Sequence, residues 1–132
     1  MTFAPLLGQG RAAVTLFAYG TLRQPEVQRA TYGRLLESTP DALTGYRLEP
    51  LAIRDPAVVR LSGKAMHTIA RFSGDPADRI TGVCFRMSED ELAATDAYEV
   101  DAYARAEVTL ESGTAAFAYV GPPLANPGSA AG

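Results

Sequence analysis

The chain has 132 residues, 47% hydrophobic and 20% charged, the balance of an ordinary soluble globular protein long enough to bury a core. Its 12 Lys and Arg are scattered among 15 Asp and Glu, with a formal charge of −3, which argues against the clustered basic surface that nucleic-acid binding needs. One Cys84 and one His67 exclude an internal disulfide and a Cys/His zinc site, and no apolar run approaches the roughly 18 residues that span a bilayer.

The opening MTFAPLLGQGRAA lacks the basic start and apolar core of a secretory signal, so the cytoplasm is the expected compartment. Pro5, Gly8 and Gly10 there, and GPPLANPGSAAG at the far end, make 1–13 and 123–132 read as loose termini around one domain over 14–122. VTLFAY, short, β-branched, aromatic and stopped by Gly20, predicts a buried strand. PEVQRATYGRLLE predicts a helix with Pro25 in its first turn and Glu26 at the positive end of the dipole, its second half weakened by Gly33. LTGYRLE, AVVRLSG and MHTIARF predict interrupted strands, followed by RITGVCFRM as another.

MSEDELAATDAYEV is the best-specified helix. Ser88 and Glu91 have capping-box spacing, Met87 and Leu92 that of a hydrophobic staple, and Glu89, Asp90 and Glu91 fill the first turn. ARAEVTLESGTAAFAYV closes the pattern as a hairpin turning at Ser112-Gly113. Many strands and two helices make an α+β domain with a curled or barrel-like sheet.

Two places invite a functional reading. Glu99 falls at the unfavourable end of the helix dipole but shares the stripe of Leu92, Thr95 and Asp96. If that stripe faces the sheet, burial raises its pKa and makes it a proton carrier near neutral pH; the alternative is a frayed helix end with Glu99 in solvent. At Tyr19-Gly20-Thr21-Leu22, a glycine turn after a strand either serves as a simple turn, with Thr21 capping the next segment, or presents backbone N–H groups to a carboxylate or oxyanion.

Taken together, Tyr19-Gly20-Thr21-Leu22-Arg23 and Tyr98-Glu99-Val100-Asp101-Ala102-Tyr103-Ala104-Arg105 resemble the gamma-glutamylcyclotransferase-like family, which includes gamma-glutamylamine cyclotransferases. Gly45-Tyr46-Arg47, Thr81-Gly82-Val83 and Ala116-Phe117-Ala118-Tyr119 extend the resemblance from Val14 to Val120. It implies a small mixed β-barrel with two or more packed helices, one cavity and no cofactor or metal. The expected reaction is intramolecular attack of an α-amine on its own γ-carbonyl, releasing 5-oxoproline from a gamma-glutamyl amine or amino acid. In this resemblance Glu99 is the acid/base, and Tyr19, Gly20, Thr21, Leu22 and Tyr103 bind the substrate. Tyr103 is otherwise a core aromatic at a strand start, and Arg105 either a partner for the Glu99 region or a solvated strand residue.

The partner expected is thus a small molecule, without nucleic acid or membrane, and oligomeric state is left open. A non-catalytic module binding a small carboxylate ligand on the same fold is the alternative. Two departures bear on this: relatives commonly carry Gly where Val100 follows Glu99, so the helix exit is expected to differ, and LEPLAIRDPAVVRLSGK matches poorly and is a candidate pocket wall. A serine triad would need His67 from a strand and a serine from turn or cap positions (Ser62, Ser73, Ser112, Ser88), which does not suit it. Cys84 alternates with apolar neighbours and reads as core.

Overall fold

Breaks in the apolar pattern mark where the backbone turns. The computed structural model describes residues 14–124. In chain order these form β1 (Val14–Ala18), a 3-10 turn (Thr21–Arg23), α1 (Pro25–Tyr32), β2 (Ser38–Thr44), β3 (Tyr46–Ala52), α2 (Pro56–Ser62), β4 (Met66–Phe72), β5 (Arg79–Met87), α3 (Glu89–Tyr98), β6 (Ala104–Thr109) and β7 (Ala115–Val120). Strands expected at 66–72 and 79–87 occur there, and the last two strands form the expected hairpin, paired from Ala104↔Val120 to Thr109↔Ala115.

Two expectations are corrected. AVVRLSG is the helix α2, not a strand. Asp55 caps it by accepting the Ala57 N–H at 2.9 Å, Pro56 takes the first position, and Gly63 closes it at φ 74°. Cap, proline and left-handed glycine are all helix-specific signals, and together they outweigh the β preference of Val58 and Val59. Likewise α1 ends at Tyr32 rather than running to Glu37, because Gly33 adopts φ 74° and returns its N–H to the Arg29 carbonyl. Three helices therefore pack on the sheet among the described residues. Of the ends expected to be loose, 1–13 and 125–132 lie outside the described residues. Pro122, Pro123 and Leu124 are tied to β4: Arg71 donates to the carbonyls of both prolines, and the Leu124 N–H donates to Phe72.

The strands join in one mixed sheet of order β2-β5-β1-β7-β4-β3, with β6 also on β7. Strands β2 and β3 stand at opposite ends of this order, yet only Gly45 separates them in the chain. Adjacent Cα atoms are about 3.8 Å apart, so the sheet must curl until its ends nearly meet. Gly45 makes that corner at φ 84°. Its N–H donates to Asp78 and its carbonyl accepts from Ser73 and Gly74. The result is a half-barrel.

Leu16 to Tyr19, at the end of β1, show why apolar side chains occur there at consecutive positions. Leu16 and Ala18 belong to the cluster that includes Val27 of α1 and Leu92 of α3, whereas Phe17 and Tyr19 belong to a second cluster with Leu43, Ile80 and Ala118. Successive side chains point to opposite faces, and here both faces are covered.

β7 is the hub. Phe117 faces both Leu16 and Glu107, and Val120 faces both Ala70 and Ala104. β6 therefore runs along one edge of β7 while β1 and then β4 share the other. Where β1 leaves and β4 begins, the Tyr19 hydroxyl donates to the Tyr119 carbonyl at 2.6 Å and accepts the Ala70 N–H at 2.9 Å. Tyr19→Phe keeps the ring but deprives both backbone groups of this partner. It should cost about 1–3 kcal/mol, read as a lower urea midpoint at unchanged m-value.

Candidate active site

Glu99 is placed by the way α3 is anchored at both ends. At its start the Ser88 hydroxyl accepts the Glu91 N–H and the Glu91 carboxylate accepts the Ser88 N–H, completing the capping box. Arg34 clamps the same carboxylate through two hydrogen bonds of 2.8 and 2.9 Å. Leu92 and Thr95 are buried on successive turns, and Glu99 follows on that stripe. At its end, Asp96 accepts from the Tyr119 hydroxyl and from Arg105 at 2.9 Å, while the Arg105 guanidinium lies 5.1 Å over the Phe117 ring. Arg105 thus serves Asp96, and the last turn of α3 is pinned to the β6–β7 hairpin.

The helix leaves through Glu99 in an extended conformation, φ −72° and ψ 139°, with its N–H on the Thr95 carbonyl. Glu99 itself thus needs no left-handed conformation. The chain then turns with the Tyr103 N–H on the Val100 carbonyl.

The Glu99 carboxyl has neither a hydrogen-bond partner nor a cation among the described residues, and burial alone pushes its pKa up to about 8. Tyr19, Tyr32, Tyr98, Tyr103 and Tyr119 surround it closely enough that its charge opposes their ionisation. Burial is the larger cause in each case, and Tyr32 is pushed up to about 12. A buried carboxyl without a partner is expensive, and such groups concentrate at functional sites.

Opposite lies the turn after β1, whose carbonyls are all tied back. Gly20 accepts from the Arg23 N–H and Nε, Thr21 from the Gln24 N–H, and Leu22 from the amide of the buried Gln28. The Gln28 side-chain carbonyl in turn takes the Leu36 N–H. The N–H groups of Gly20, Thr21 and Leu22 donate to nothing among the described residues, so the turn is a rigid set of unused donors. Thr21 does not act as a cap; its hydroxyl shares a 2.7 Å hydrogen bond with Tyr98. A side chain at Gly20 would meet no protein atom within 4 Å.

Glu99 and the residues expected beside it, Tyr19, Gly20, Thr21, Leu22 and Tyr103, line one cleft of about 550 Å³, within the range of small-molecule sites. Their roles within it differ. Leu22 sends its side chain into the core and offers only backbone. The Tyr19 hydroxyl is spent on β4 and β7, and that of Tyr103 donates to the Thr68 carbonyl at 2.7 Å, so both present rings rather than hydroxyls.

The other wall is Leu48, Met66, His67 and Thr68 of β3 and β4, together with Lys64. Of the candidate wall segment LEPLAIRDPAVVRLSGK, the first and last residues, Leu48 and Lys64, reach the cleft, whereas Met66, His67 and Thr68 lie beyond it and went unread in the sequence. His67 lies 3.2 Å from the Ser62 hydroxyl, but that hydroxyl donates to the Val58 carbonyl, no carboxylate orients the ring, and burial lowers the imidazole pKa. The pair is not a nucleophile and base. Burial pushes Cys84 up to about 11, which makes it inert at neutral pH.

The raised pKa has a consequence for stability. Folded Glu99 keeps its proton to about pH 8, whereas an unfolded glutamate loses it near 4.3. Stability associated with the neutral carboxyl is complete below about pH 4 and is lost progressively up to about pH 8. Glu99→Gln should flatten that loss. Between pH 4 and 8.5 the variant should gain roughly 2–4 kcal/mol on the wild type, measured by urea titration at both pH values; parallel curves would refute the buried assignment.

The chain matches the family described as gamma-glutamyl cyclotransferase, AIG2-like, over residues 16–131. Among solved structures, a gamma-glutamyl cyclotransferase superposes with a TM-score of 0.65 at 15% identity, over 84% of this chain and 68% of that one. An Arabidopsis thaliana protein solved in solution gives 0.61 at 20% identity, over 83% and 62%. An uncharacterized Homo sapiens protein gives 0.60 at 18% identity, over 83% and 67%. The chain thus spans roughly two thirds of the length of these structures. No curated protein matches the sequence. With 16–131 matched and the same curled sheet, this chain belongs to the AIG2-like gamma-glutamyl cyclotransferase family.

Proposed function

We propose that the protein is a cyclotransferase that releases 5-oxoproline from a gamma-glutamyl compound, with Glu99 as the proton carrier. The observation that carries this reading is the pairing, in one cleft, of a largely buried carboxyl without a partner among the described residues and a turn of unused N–H donors.

The chemistry needs both. An α-ammonium is no nucleophile until it loses a proton, and the departing nitrogen must gain one. Ionised Glu99 takes the α-ammonium proton; the freed amine attacks the γ-carbonyl carbon; the γ-carbon to nitrogen bond breaks; and the proton returns from Glu99 to the leaving nitrogen. Atoms balance without water, cofactor or metal. The N–H groups of the turn bind the glutamyl carboxylate or the oxyanion that forms during attack. Because nucleophile and electrophile belong to one molecule, the remaining task is to hold the substrate folded, which suits a cleft walled by the rings of Tyr19 and Tyr103.

Glu99→Gln should lower kcat/KM for 5-oxoproline release by at least about 100-fold with the fold intact by circular dichroism. The wild-type kcat/KM should rise with pH from 6 to about 8, where Glu99 titrates, and fall again once no proton is left for the leaving nitrogen. Gly20→Val, at a cleft-lining position where an added Cβ meets no protein atom within 4 Å, should keep a melting point near that of the wild type while raising KM about tenfold or more. Tight binding of a small carboxylate with no release from any gamma-glutamyl compound would favour a binding module instead.

A further inference from the structure

The β3–β4 ribbon forms the cleft wall that carries neither the catalytic acid nor the donor turn, and its chemistry is distinctive. In its register Leu48 pairs with Ala70, Pro50 with Thr68 and Ala52 with Met66, so these side chains share one face. Ala70 is fully buried, whereas Leu48 opposite it is 42% exposed and Met66, at the other end of that face, 54% exposed. They are two of four large apolar side chains exposed to this degree among the described residues, and both line the cleft. The one acid of the ribbon, Glu49, lies on the opposite face and pairs with Arg71 at 2.8 Å. The wall's one formal charge is Lys64, which forms no ion pair among the described residues and also lines the cleft. The cleft's other cation, Arg23, is tied by Nε to the turn at Gly20, on the side where the glutamyl half binds.

We infer that the leaving half of the substrate is an amino acid with an apolar side chain, which rests on Leu48 and Met66 while its carboxylate meets Lys64. This rests on the cyclotransferase reading above. A cationic leaving amine, by contrast, meets Lys64, and Glu99, engaged with the reacting nitrogen, is the only acid lining the cleft among the described residues.

The test is kcat/KM for 5-oxoproline release from four conjugates: gamma-glutamyl-leucine, gamma-glutamyl-glycine, gamma-glutamyl-isoamylamine (the leucine conjugate without its carboxylate) and gamma-glutamyl-putrescine. The leucine conjugate should exceed the glycine conjugate by about tenfold and the isoamylamine conjugate by about fivefold, with the diamine conjugate last. Met66→Ser and Leu48→Ser, at exposed positions that leave the core alone, should bring the leucine-to-glycine ratio to within about twofold of unity. Lys64→Gln should do the same for the leucine-to-isoamylamine ratio. Equal rates for leucine and glycine, a preferred diamine, or ratios untouched by these variants would overturn the inference while leaving the reaction standing, provided release still depends on Glu99. No release from any of the four overturns the reaction and the inference together.

Discussion

A sheet cannot open a cleft within itself without stranding backbone groups, and the molecule meets this constraint with one phenol. β7 gives one edge to β1 and then to β4, and the parting of those two strands opens the cleft. At the point of parting the Tyr19 hydroxyl takes the Ala70 N–H and gives to the Tyr119 carbonyl. Without it, a buried donor and acceptor would lose a partner where water is largely excluded. The same residue directly precedes the glycine turn, so the brace across the split also fixes where the donor turn begins.

The two acids near the end of α3 show how environment divides roles. Asp96 has Arg105 at 2.9 Å and the Tyr119 hydroxyl; it is a fastener. Glu99, on the next turn, has no cation among the described residues, sits at the negative end of the helix and is ringed by tyrosines that do not ionise near neutral pH. Burial and isolation hold it neutral, and a carboxyl kept neutral by its surroundings is a recurrent basis for acid/base work.

Most strands, the capped helix and the hairpin were legible because local signals and tertiary need agree there: Ser88 with Glu91, alternation in RITGVCFRM, and Gly113 at the final turn. The inward stripe of α3 was legible too, from the spacing of Leu92, Thr95 and Glu99. AVVRLSG misled because its valines carry a strand preference, while the decisive information lies in its flanks, Asp55, Pro56 and Gly63. The second wall of the cleft was legible only at the two ends of its candidate segment, Leu48 and Lys64. Met66 is an ordinary strand residue in the sequence; what makes it and Leu48 cleft residues is the curl that swings β3 and β4 over to face the turn, and that curl depends on pairings between distant segments. The tied-back carbonyl of Leu22 was equally invisible, since it depends on Gln28 of α1 reaching back to the turn.

Those distant pairings bear on how fast the fold assembles. Leu16 is matched to Phe85 on one side and to Phe117 on the other, so the central strand gains neither neighbour until most of the chain has been synthesised or has collapsed. Topologies dominated by such long-range partners fold slowly. The β6–β7 hairpin and the β3–β4 ribbon pair segments near each other in the chain and are the units that form without help, but β1 must find its slot between β5 and β7 with loop entropy against it. Folding kinetics limited by insertion of β1 would make the arrival of the Tyr19 brace and the donor turn one of the last events, so that a newly made chain completes its half-barrel and its cleft in a single step.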